Sequence, residues 1–168
     1  MAAQEKHGRF LRSETFEKVE YKKLSKSFDE EFRNKIFENY GFQIPPDWVF
    51  YNLGKDSIWL VPGKVSTFDT KDLIVEIKGL YFSHYDGDFL RLSPEGAQIV
   101  GSKATKGILD ITNDEAEKMI RGFDIDKVNN LEAEFVILKC PSGIIGVGKN
   151  HKTRVLCQIG KQRRVFQI

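Results

Sequence analysis

The side chains in this chain that could carry out chemistry are few, and their spacing rules out most reactions. His7, His84 and His151 are far apart, and no two are placed by sequence to share a site. No acid–base pair is evident. The run Cys140-Pro141-Ser142-Gly143 has the outline of a thiol nucleophile loop, yet no base is placed beside it and the four residues form a natural β-turn. Cys140 and Cys157 show no CxxC spacing and have no third or fourth partner for a metal. They read as reduced, buried and structural, with a disulfide between them as the alternative. Gly146-Val147-Gly148-Lys149 is glycine-rich and ends in lysine, but it lacks the GxxxxGK[ST] spacing and no helix follows. Its small residues are expected to let a strand pack closely against a neighbour. The chain reads as non-catalytic, with no cofactor and no metal.

What the sequence does concentrate is positive charge. From Phe135 to Ile168 there is no Asp or Glu, while Lys139, Lys149, Lys152, Arg154, Lys161, Arg163 and Arg164 are all cationic. The formal net charge is only +2, so the argument rests on the distribution of charge and not on its total. One face of a small β structure is expected to be strongly positive. Opposing it, Asp110, Asp114, Glu115, Glu117, Asp124 and Asp126 gather on and around one predicted helix, a surface that repels phosphate and is expected to face away from nucleic acid.

The elements that must position these groups follow from periodicity and punctuation. Ser27 and Glu30 have capping-box spacing, and Phe28, Phe32, Ile36 and Tyr40 then recur at helical intervals until Gly41. Pro45-Pro46 breaks the chain, and strands are expected at Trp48–Asn52, Ser57–Val61 and Val65–Phe68, with both tryptophans in packing roles. A new rhythm begins at Leu73: strands at Leu73–Ile77, Gly79–Phe82 and Phe89–Leu92, a turn at Asp86-Gly87, then Ser93-Pro94 opening a short helix that ends near Gly101. Ile108–Ile111 is a brief strand. Thr112 and Glu115 make a second capping box for a helix over Asn113–Arg121, closed by Gly122. Phe135–Lys139 leads into a hairpin of Ile144–Gly148 and Thr153–Ile159, joined by the polar loop Lys149–Lys152.

The composition, 40% hydrophobic and 30% charged over 168 residues, is that of a globular α+β protein. The N-terminus has no apolar leader region and no run is long enough to span a bilayer, so a soluble, cytoplasmic protein with no membrane partner is expected. The change of pattern near Asp72 divides the chain into an N-terminal α+β subdomain over 1–72 and a second domain over 73–168.

The order of a Gly79-Leu80 strand, the Ser93-Pro94-Glu95-Gly96-Ala97 helix, an acidic helix closed by Gly122, the Phe135–Lys139 strand and Gly146-Val147-Gly148-Lys149 resembles a PUA domain, a compact pseudo-barrel of RNA-modifying and ribosome-assembly proteins. More closely, GVGK followed by RVLCQIGKQRR is similar to the closing segment of the C-terminal PUA-like region of Sun-family RNA cytosine-5 methyltransferases and of small archaeal relatives without the catalytic domain. Ile159-Gly160-Lys161 stands where those chains often have Pro-Lys. The resemblance implies a PUA-like β pseudo-barrel over 73–168. It also implies an RNA surface made from the short helix, its following loop and the last strands. By position these supply Arg91, Lys103 and Lys106, together with Lys149, Lys152, Arg154, Lys161, Arg163 and Arg164. The function implied is recognition of structured tRNA or rRNA in RNA modification or ribosome biogenesis, with any modifying enzyme supplied in trans, since the chain has no alternating strand–helix units for a cofactor-binding domain. The alternative is a protein–protein adaptor of an RNA-modifying complex that uses the Phe-rich N-terminal subdomain.

Overall fold

The computed structural model describes residues 21–67 and 79–165. The elements run β1 (Tyr21–Lys23), α1 (Lys26–Tyr40), β2 (Trp48–Leu53), β3 (Ser57–Pro62), α2 (Gly63–Ser66), β4 (Leu80–Tyr85), β5 (Leu90–Leu92), α3 (Pro94–Gly101), β6 (Ile108–Asp110), α4 (Asn113–Ile120), β7 (Ile125–Asp126), β8 (Phe135–Cys140), β9 (Gly143–Asn150) and β10 (Arg154–Cys157). They form a mixed α+β fold with two five-stranded sheets, ordered β1-β2-β3-β4-β5 and β6-β8-β9-β10-β7, one of them curled into a half-barrel. Every described pairing is antiparallel except β6 with β8. The first sheet draws strands from both sides of Asp72, because β3 pairs with β4.

Helix α1 buries Phe32, Ile36 and Tyr40, the stripe expected from its spacing. Its cap differs from the expectation: Ser25, not Ser27, accepts the Phe28 backbone N–H at 3.3 Å, so the helix begins one residue later than Ser25 and Ser27 lies inside its first turn. At the other end Gly41 adopts φ 63 and donates its N–H to the Phe37 carbonyl. A side chain there would be strained, and its Cβ would also lie 2.0 Å from Thr105 Oγ1. Arg33 fixes the chain at the proline corner. Its guanidinium meets Asp29 at 2.6 Å, donates to the carbonyls of Pro45 (3.1 Å) and Trp48 (2.6 Å), and lies 5.3 Å from the centre of the Phe50 ring.

Two apolar clusters fill the interior. The larger joins α1, α3 and the first sheet to Ile137 and Val147, and includes Phe32 with the rings of Phe50 at 5.1 Å, Tyr85 at 5.3 Å and Phe82 at 6.1 Å. Such pairs each contribute about 0.5–1.5 kcal/mol beyond the burial of area. The smaller lies between α4 and the second sheet, around Met119, Val136, Leu138 and Val155. Strand β8 serves both, since residues 135 to 138 are all buried, with Ile137 in the larger cluster and Val136 and Leu138 in the smaller. The Tyr40 hydroxyl donates to the Phe135 carbonyl at 3.0 Å, tying the end of α1 to this shared strand.

Other expectations need correction. Val65 belongs to α2 and not to a strand, and Phe68 and the strand expected at Leu73–Ile77 lie outside the described residues. Strand β7, too short to show periodicity, was not anticipated; it adds to β10 through Arg154 and Val155. Lys149 is in β9, opposite Phe135, and the turn that follows is confined to His151–Thr153, with Lys152 at φ 66. The cysteines are both free, Cys140 buried and Cys157 only half-buried. Of the glycine pair in β9, Gly148 matches the close-packing expectation, its Cβ position lying 2.3 Å from Val155 Cγ1; Gly146 has open space and a φ of 141. Among the described residues no helix is long and apolar enough to cross a membrane.

Candidate nucleic-acid interface

The site is organised around the start of α3. Ser93 is its N-cap: the hydroxyl accepts the Gly96 N–H at 2.9 Å and donates to the Tyr81 carbonyl at 2.6 Å, while Pro94 occupies the first turn, where no N–H is needed. Gly96 brings the helix against β4, since a Cβ there would lie 2.2 Å from the Phe82 carbonyl oxygen. The first turn of α3 is therefore held beside the outer side of β4 and β5. Arg91, between buried Leu90 and Leu92, emerges from β5 at this point, and its Nη1 donates to Gln158 Oε1 at 3.1 Å.

The opposite wall is the segment after β10. Buried Ile159 anchors it, and residues Lys161–Arg163 form a 3-10 turn. Beyond that turn, Arg164 lies across Gly122, where even a Cβ would be 2.6 Å from its Nη1, and its Nε donates to the Ile159 carbonyl at 3.0 Å. The Val165 N–H donates to the Ile120 carbonyl at 3.2 Å. Between the two walls is a cleft of about 420 Å³ lined by Tyr81, Arg91, Ser93, Glu95, Gln158, Lys161 and Arg163, among others. Arg163 is ion-paired across it with Glu95.

The cleft sets Arg91, Lys161 and Arg163 against the Glu95 carboxylate among its described residues. Partial burial pushes the Glu95 carboxyl up, but its own backbone N–H and the Arg163 guanidinium outweigh this and hold it below the usual carboxylate range. Burial raises the Tyr81 phenol above its ordinary value, with Arg91 pulling the other way, so its hydroxyl stays protonated and able to donate. Trp59 packs against Tyr81 in a tilted arrangement, ring centres 5.7 Å apart.

Of the nine cationic residues expected at an RNA surface, the structure brings Arg91, Lys161 and Arg163 together. The others are dispersed. Lys103 and Lys106 are exposed in the loop after α3, and Lys106 faces a different hollow, of about 610 Å³, which also holds Glu38, Asp88, Glu132 and Glu134. Lys149 pairs with Glu134 at 3.3 Å, and Lys152 donates its ammonium to the Leu131 carbonyl. Arg154 lies 3.3 Å from Asp124 and 3.8 Å from Asp126. Arg164 is committed to Gly122 and Ile159.

The expected uninterrupted positive face is therefore corrected. Carboxylates remote in sequence are folded against the acid-free segment, and two of the acidic residues expected to face away from it are partners of Arg154. The reason is topological: β7 adds to β10 and places Asp126 directly opposite Arg154.

Sequence reasoning did not single out Tyr81, Glu95 or Gln158. Glu95 carried a signal, as the residue after the Ser-Pro cap that must lie in the first turn of a helix; Gln158 carried none, since only the fold brings it to Arg91. Among the described residues no group of three His, Cys, Asp or Glu side chains could hold a metal ion. No protein-family model matches this chain, and no curated protein matches it.

Proposed function

We propose that this is a non-catalytic protein that binds structured RNA, of the tRNA or rRNA kind, through the cleft between α3 and the C-terminal segment, in the service of RNA modification or ribosome biogenesis. The observation that carries the reading is the convergence of Arg91, Lys161 and Arg163 from two distant stretches of chain onto one groove, where Glu95 is the single carboxylate among the described residues. Three cations lining one groove suit a phosphodiester backbone, whose contacts are sequence-independent and driven by counterion release. The half-barrel curl of one sheet is compatible with a PUA-like pseudo-barrel, which is part of this proposal. Any modifying enzyme acts in trans. The adaptor alternative has less to stand on, because Phe32, Phe42 and Phe50 are all consumed by the core and Phe37 is the exposed phenylalanine of that half among the described residues.

The test is fluorescence anisotropy with a labelled RNA hairpin, over a salt series. Three phosphate contacts predict a fall in affinity of about 20- to 40-fold between about 50 and about 200 mM salt. Affinity indifferent to salt, or no binding at the lowest salt, would overturn the reading.

A further inference from the structure

Glu95 is out of place in a phosphate-binding groove, since a carboxylate beside the guanidinium repels the ligand. Its position suggests why it is there. It projects from the first turn of α3 across the cleft and takes the Arg163 guanidinium, with the two side chains 32% and 55% exposed, so that the pair is open to solvent. The pair is not what fastens the C-terminal segment. That is achieved by buried Ile159 before the turn, and after it by Arg164 on Gly122 and the Val165 N–H on the Ile120 carbonyl. A half-exposed pair of this kind is weak and readily exchanged.

We infer that the Glu95 carboxylate is an internal stand-in for a phosphate group: in the free protein it occupies Arg163, and an RNA phosphate displaces it. This rests on the RNA reading above and adds to it the identity of the residue that regulates the site. The incoming group must be an anion with oxygens able to accept from a guanidinium as a carboxylate does, which describes a phosphodiester. Glu95 swings into solvent as the phosphate arrives, so the Arg163 guanidinium keeps an anionic partner throughout. Arg91 has the analogous neutral partner in the Gln158 side-chain oxygen.

The experiment is a double-mutant cycle on the full chain, with the same labelled hairpin. Glu95→Gln keeps the size of the side chain and removes the competing charge. It should tighten binding by about fivefold, the worth of one exposed ion pair, and steepen the slope of log affinity against log salt by about one contact. In an Arg163→Ala background the same Glu95→Gln change should give a clearly smaller gain, from relieved repulsion alone, because there is no guanidinium left to release. Melting temperatures of all three variants, expected near that of the wild-type protein, show that the fold is retained. A gain as large without Arg163 as with it, or equal binding by Glu95→Gln and wild type, would overturn the stand-in role while leaving RNA binding intact. Failure of the wild-type chain to bind any RNA would overturn both readings together.

Discussion

Arg163 and Arg164 are adjacent in sequence and separated in role. Arg163 points into the cleft and is paired at a solvent-open position, whereas the stem of Arg164 covers Gly122 and its Nε bonds the Ile159 carbonyl. Arg164→Ala should therefore cost stability, about 1 kcal/mol from lost packing and one hydrogen bond, which for a chain of this size lowers the melting temperature by about 2–4 °C. Arg163→Ala should leave the melting temperature unchanged and weaken RNA binding. Differential scanning calorimetry and anisotropy separate the two, and equal melting losses would refute the division. The doublet read from sequence as one basic motif because charge is visible in a sequence and the partner is not. What distinguishes the arginines is a glycine far upstream, closing a helix on which the C-terminal segment happens to lie.

At the scale of elements, helix α4 was legible because its information is local. Thr112 accepts the Glu115 N–H at 3.1 Å, Glu115 accepts the Thr112 N–H at 2.7 Å, and the same carboxylate takes Lys127 at 2.9 Å. Partial burial raises the Glu115 carboxyl, but the Thr112 N–H and Lys127 outweigh it, so the group is held below its ordinary value of 4.5. A depressed carboxyl contributes stability that is fully present above that ordinary value and is lost as pH falls through the folded one. Glu115→Gln should accordingly be less stable than wild type at neutral pH and converge with it in acid; urea midpoints between pH 7 and about 2.5 would show it, and a constant gap at all pH values would sink the assignment. Thr112→Ala removes the cap itself and should cost about 1 kcal/mol. Helix α1 was legible in its buried stripe and misread at its start, since Ser25 and Ser27 both offer a hydroxyl and the choice depends on where the chain arrives from β1. Gly148 was read correctly as a point of close packing, and Gly148→Ala should destabilise by about 1–3 kcal/mol as Val155 is forced aside.

At the scale of the whole molecule, the sequence shows a change of rhythm near Asp72, while the structure shows a core that spans it. Half of the buried side chains in the larger cluster come from α1 to β3 (Phe32, Ile36, Tyr40, Phe42, Ile44, Phe50, Ile58 and Leu60) and half from β4 onward. Periodicity reports each element singly, but pairing between β3 and β4 has no periodic signature, so a boundary drawn from rhythm can fall between neighbouring strands of one sheet. Strand β8 extends the same logic to the second cluster, because its two faces are buried in different cores and neither can loosen without exposing the other. The full chain should unfold in one transition, with calorimetric and van't Hoff enthalpies in a ratio near 1. A fragment of residues 73–168 would keep β8 but lose the α1-to-β3 side chains that share the larger cluster with Ile137, and the Tyr40 hydroxyl that bonds the Phe135 carbonyl. That fragment should lack the dispersed amide spectrum of a folded protein. If instead it folds and binds the hairpin as the whole chain does, the division at Asp72 marks two independent domains, and the shared core contributes contact between them without being required by either.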